Sequence, residues 1–104
     1  MRRLLVLAVL LPMAGRVSNA HDGPHADSAV VRDLAATCAA CHGTEGRSQR
    51  GMPALAGQDS HSLLNQLQQF KAGSKPASVM HQIAKGYSDD QLDLMADFFS
   101  QQGK

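Results

Sequence analysis

The sequence predicts an all-α protein of three to five helices. Apolar residues recur with a helical period in three separate stretches. Capping and breaking residues bracket those stretches, and no alternating run reads as a strand. The chain has 104 residues, enough for one domain. It has no Trp, three Phe and one Tyr. A domain this small buries little apolar surface and needs a staple beyond its own side chains.

The first residues read as a targeting segment rather than as part of the fold. Arg2 and Arg3 form a positive start, and Leu4 to Leu11 is an unbroken apolar run closed by Pro12. Ser18-Asn19-Ala20 puts small residues where a signal peptidase cuts. Residues 1–20 are therefore expected to be a secretory signal peptide, with cleavage after Ala20 and a periplasmic destination. The apolar run falls far short of the roughly 20 residues a spanning helix needs, so no stable membrane insertion is expected. Residues 21–27 are polar and rich in breakers and read as a flexible tail. The folded domain is expected over 28–104.

Within that domain the first helix starts near Ser28. Val31, Leu34, Ala35 and Cys38 fall on one face at i, i+3, i+4 and i+7. From Gly43 to Gly57 five glycines and prolines make a loop. The second helix spans about Ser60 to Ala72, with Leu63, Leu67 and Phe70 on one face and Gly73 as its stop. A segment around Lys75–Ala84 follows, closed by Gly86. The last helix opens with Ser88 and Gln91, the spacing of a capping box, and carries a stripe of Leu92, Met95, Ala96 and Phe99.

Charge narrows the partners. Ten Lys and Arg face nine Asp and Glu in the whole chain. Removing Arg2, Arg3 and Arg16 with the leader leaves seven basic against nine acidic residues, a net −2 with His neutral. That balance argues against nucleic-acid binding and against an anionic membrane surface.

The chemistry lies in Cys38-Ala39-Ala40-Cys41-His42, the spacing of a c-type haem attachment site. Residues three apart on a helix share a face, so both thiols can reach the two vinyl groups on one porphyrin edge. The next residue, His42, is then carried beneath to offer a ring nitrogen to iron. Three other readings compete. A thioredoxin-like pair needs a βαβ context and a helix N-terminus, whereas this motif ends a helix. A zinc site needs further Cys or His ligands. A disulfide leaves His42 unexplained. The expected cofactor is one covalent haem c.

The second iron ligand is sought among Met52, Met80 and Met95. Met95 falls on the stripe of the last helix and reads as core. Met52 lies only ten residues past His42, in the loop Gly51-Met52-Pro53-Ala54-Leu55-Ala56-Gly57, where the chain is still on the His42 side. In that loop the Pro53 carbonyl can accept the second ring N–H of His42 and fix its tautomer. Met80 comes 38 residues after His42, past a full helix that lets the chain reach the opposite face. Met80 is the expected ligand. His81 is its rival and, like His61, is expected at the surface. An amino-terminal His21 as a copper chelator ranks far below. Lys71, Lys75, Lys85, Arg47 and Arg50 could form a basic rim around the haem edge or an ordinary solvated surface.

Cys38 to Gly43, the Pro53-x-Leu55-x-Gly57 loop, Met80 and the last helix together resemble a class I cytochrome c of the small bacterial type. The likeness covers roughly residues 28–102. Cys38-Ala-Ala-Cys-His-Gly-Thr with Met80-x-x-Ile83-Ala84-Lys85-Gly86-Tyr87-Ser88 is similar, more narrowly, to the cytochrome subunit of flavocytochrome c sulfide dehydrogenase. Cytochrome c4 and cytochrome c553 come next. The resemblance implies the class I cytochrome c fold wrapped around its haem. It also implies electron transfer from an FAD-containing sulfide-oxidising subunit to a soluble cytochrome acceptor. Some members of that family carry two haem domains; one Cys-x-x-Cys-His implies a monohaem version or a free carrier. No substrate meets the iron on this reading, so the chain alone is not an enzyme and has no catalytic residue.

Overall fold

The computed structural model describes residues 28–104. The leader, its cleavage after Ala20 and the 21–27 tail lie outside the described residues. Four α-helices occur among these: α1 (Ser28–His42), α2 (Ser60–Ala72), α3 (Met80–Lys85) and α4 (Asp89–Ser100). One 3-10 turn, Thr44–Gly46, follows α1. The described residues contain no strand.

Local chemistry sets the helix ends. Asp59 caps α2 by accepting the Ser62 N–H at 2.8 Å. Gly73 ends the same helix at φ +76°, a left-handed conformation that costs glycine little. At α4 the capping box forms in full: Gln91 N–H donates to Ser88 Oγ at 3.2 Å, and Ser88 N–H donates to Gln91 Oε1 at 2.9 Å. The segment after α2 contains only the short helix α3, which begins at Met80 itself.

Packing uses the stripes that the sequence marks. Helix α4 lies against both α1 and α2, and α3 lies against α2. Ala35 of α1 and Ala96 of α4 are both buried, and they join Leu63 and Phe99 in the core cluster. Small side chains on both helices let α1 and α4 come close. Leu92 is fully buried, which contributes about 1.5–3 kcal/mol for a side chain of this size. Phe98 and Phe99 meet edge to face, with centroids 5.2 Å apart.

The loop between α1 and α2 is pinched rather than free. The Gly46 carbonyl accepts from Leu55 N–H at 2.9 Å and from Ala56 N–H at 3.2 Å. Gly57 N–H donates to the Phe99 carbonyl at 2.9 Å. These bonds close the intervening chain into a lobe tied to α4, and the lobe carries Pro53 back beneath the C-terminus of α1. The 3-10 turn inside the predicted loop is part of this neck.

Candidate haem site

A cavity of about 430 Å³ opens between the end of α1, the Pro53 lobe, α2 and α3. Its walls are largely apolar, with Leu63, Leu67, Phe70, Ile83, Met95 and Phe99 among them. Cys38, Cys41, His42, Pro53 and Met80 all border it. The fold therefore brings together every residue that the sequence reading proposes for the site.

Helix α1 presents Cys38, half-buried, and Cys41, exposed, and the two thiols are not joined to each other. Burial pushes the Cys38 thiol above its ordinary pKa, against a smaller opposing effect of a backbone hydrogen bond. That is the reverse of the activation a redox-active thiol pair requires. Among the described residues no three His, Cys, Asp or Glu side chains gather as a metal site.

His42 is the last residue of α1 and is only 6% exposed. Its Nδ1 lies 2.6 Å from the Pro53 carbonyl oxygen. A carbonyl only accepts, so the ring proton sits on Nδ1 and donates. In the neutral ring Nε2 then keeps its lone pair, and among the described residues this buried atom has no hydrogen-bond partner. An orphaned buried nitrogen on a cavity wall has a cost, because nothing replaces the water it lost. A neutral imidazole with its second N–H held by a carbonyl is the form in which His binds a metal. Two thiols three residues apart, this nitrogen and the Met80 thioether all border the cavity, two groups able to attach a haem and two able to ligate its iron. The residues present fit that group.

Met80 and His81 part company at the site. Met80 borders the cavity and His81 does not. His81 is half-buried rather than at the surface, and its Nδ1 is buried without a partner among the described residues. Its neighbour takes the cavity-facing position at the start of α3, and the next helical position pointing that way is Ile83. His61 is exposed, as the sequence suggests. Met95 is 1% exposed, and Met52, next to Pro53, is 40% exposed. Both also border the cavity.

The basic rim does not form as a set. Lys71 Nζ donates to the Tyr87 carbonyl at 2.7 Å and pairs with Asp89 at 3.1 Å. Arg47 pairs with Glu45 and donates from Nε to the Gly103 carbonyl at 2.8 Å. Lys75 alone of the five borders the cavity. Gln66, also on the wall, carries no signal in the sequence beyond lying one turn from Leu63 and Phe70.

An all-α domain that places a Cys-x-x-Cys-His helix end and a methionine around one apolar cavity defines a covalent haem protein. The sequence profile of the cytochrome c family matches residues 29–102. The chain belongs to the cytochrome c family, whose members carry electrons on haem c. It is 37% identical over 71 residues to the cytochrome subunit of sulfide dehydrogenase of Chlorobaculum tepidum, covering 68% of this chain and 64% of that protein. It is 36% identical over 106 residues to cytochrome c4 of Azotobacter vinelandii, covering 92% of this chain and 50% of that protein. It is also 32% identical over 80 residues to cytochrome c-554(548) of Halomonas halodenitrificans, covering 73% of this chain and 96% of that protein. The chain thus spans between half and two thirds of the first two relatives.

Proposed function

We propose that this protein carries single electrons in the periplasm, with its haem fixed by Cys38 and Cys41 and ligated by His42 and Met80, as the haem subunit of a sulfide dehydrogenase-like complex. The observation that carries the site reading is His42, whose Nδ1 is held by Pro53 and whose Nε2 is left free on the cavity wall. When bound, haem c supplies reversible one-electron cycling between Fe(II) and Fe(III). Cys38 and Cys41 form the two thioether links. Pro53 keeps the proton on Nδ1, so His42 always presents the same nitrogen. Met80 offers a soft, neutral sulfur, and the apolar walls exclude water. A neutral sulfur ligand and a dry pocket both favour the reduced state and raise the potential.

The subunit reading is supported by the name and 37% identity of the Chlorobaculum tepidum relative. An FAD-containing partner would donate electrons, and a soluble cytochrome would accept them. A second reading, a free monohaem carrier, is supported by the Halomonas halodenitrificans cytochrome, 96% of which this chain matches. Purification of the native protein separates the two. Co-elution with a flavoprotein, and haem reduction by sulfide only in its presence, supports the subunit; elution as a monomer without one supports the carrier. N-terminal sequencing of the periplasmic fraction tests export and cleavage after Ala20. Among the described residues no helix is long and apolar enough to cross a membrane.

A further inference from the structure

The cavity wall carries one fixed charge, and it is not neutralised. Among the described residues Lys75 is the only Lys, Arg, Asp or Glu bordering the cavity. Its Nζ donates to Gln66 Oε1 at 3.1 Å and sits 5.3 Å from the Phe70 ring centroid. Both anchors are themselves wall residues. Among the described residues Lys75 pairs with no carboxylate, in contrast to Lys71, which is paired with Asp89.

The backbone explains why this side chain folds inward. Gly73 turns the chain at the end of α2 in a left-handed conformation. The Gln69 carbonyl then accepts from Ser74 N–H at 3.0 Å and from Lys75 N–H at 3.4 Å. The chain is held against the last turn of α2, and the Lys75 side chain runs back along the face that carries Gln66 and Phe70. A hydrogen bond to a neutral amide and a cation–π contact fix the ammonium without cancelling its charge. Each costs side-chain entropy that a solvated lysine would keep.

We propose that Lys75, held by Gln66 and Phe70, binds a haem propionate and raises the reduction potential of the iron. A propionate is the anionic part of a group otherwise matched by apolar walls, and Lys75 is the cation that those walls supply. Positive charge near the haem opposes loss of an electron, and it also offsets the propionate charge that would favour Fe(III). The inference rests on haem occupying this cavity. Lys71 lies four residues earlier but has no such role, because Asp89 and the Tyr87 carbonyl hold it.

The test is the midpoint potential of the haem-loaded full chain, with its low-spin spectrum as a separate record of intact ligation. Lys75→Gln is expected to lower the potential, shifting the equilibrium with a fixed one-electron donor toward the oxidised protein by about tenfold, or about 59 mV for one electron. Lys75→Arg is expected to restore most of that difference, since it keeps the charge. Gln66→Leu, which frees the ammonium but leaves it present, is expected to lower the potential by less. A low-spin Lys75→Gln protein with the wild-type potential would overturn the inference, as would equal shifts in the Gln and Arg variants. If Lys75→Gln does not accumulate with haem, an unchanged potential in Gln66→Leu overturns it instead. Absence of covalent haem from the wild type would sink the haem reading itself.

Discussion

Gly46 and Phe99 meet so closely that no side chain fits between them. A Cβ on Gly46 would lie 2.8 Å from Phe99 Cδ1 and 2.9 Å from the Leu55 Cβ. Gly46 also sits at φ +77°, where other L residues are strained. The glycine lets the neck of the Pro53 lobe press against α4, and so places the carbonyl that holds His42.

Gly46→Ala is therefore expected to destabilise the protein by about 2–4 kcal/mol, combining left-handed backbone strain with overpacking. Denaturant unfolding of the oxidised haem protein measures this. A loss below about 0.5 kcal/mol, the range of neutral surface changes, would show that the neck is slack.

Ser88→Ala removes one half of the α4 capping box. It is expected to cost about 1 kcal/mol, and Ser88→Asp is expected to recover most of it. Thermal unfolding monitored by far-UV circular dichroism compares the two. The absorption spectrum of the haem should not change in either, because Ser88 does not border the cavity.

Met80→Ala is expected to open the iron to small molecules and lower the potential. The oxidised protein should lose the weak far-red band of Met–Fe(III) ligation, and the reduced protein should bind carbon monoxide. Met52→Ala and His81→Ala should keep the low-spin spectrum. If Met52→Ala abolished it while Met80→Ala did not, the ligand would lie on the Pro53 lobe and the two faces of the site would be reversed.

Replacing Cys38 and Cys41 together with Ala is expected to remove covalent attachment. Acidified organic solvent should then extract the haem from the variant and leave it on the wild-type chain. Haem retained by the double variant would contradict thioether attachment at these two sulfurs.

Much of the fold is legible because its signals are local. The end of α2 follows from Gly73, and the start of α4 from Ser88 and Gln91, all within one turn of the helix end they set; the Asp59 cap at the start of α2 is seen only in the structure. The His42–Pro53 contact spans only 11 residues of chain, so a loop of that length can be reasoned about directly. The 3-10 turn at Thr44–Gly46 is not legible in this way, since bonds from Leu55 and Ala56 hold it. The basic rim fails for the same reason. Arg47 is claimed by Gly103, 56 residues away, and Lys71 by Asp89, 18 residues away.

By itself the sequence determines the haem chemistry, because Cys38, Cys41 and His42 lie within five residues and one stretch of helix fixes their relation. It also determines that α1, α2 and α4 are helical, but leaves the segment holding α3 unassigned. Tertiary structure decides which of Met80 and His81, and which of Lys71 and Lys75, borders the cavity. Met80 and His81 are adjacent on α3, whereas Lys71 lies in the last turn of α2 and Lys75 lies past the left-handed turn at Gly73. The first pair is separated by the rotation at which α3 packs against α2, and the second by the turn of the chain at Gly73. That rotation is set by contacts distant in sequence, and no local pattern of residues encodes it.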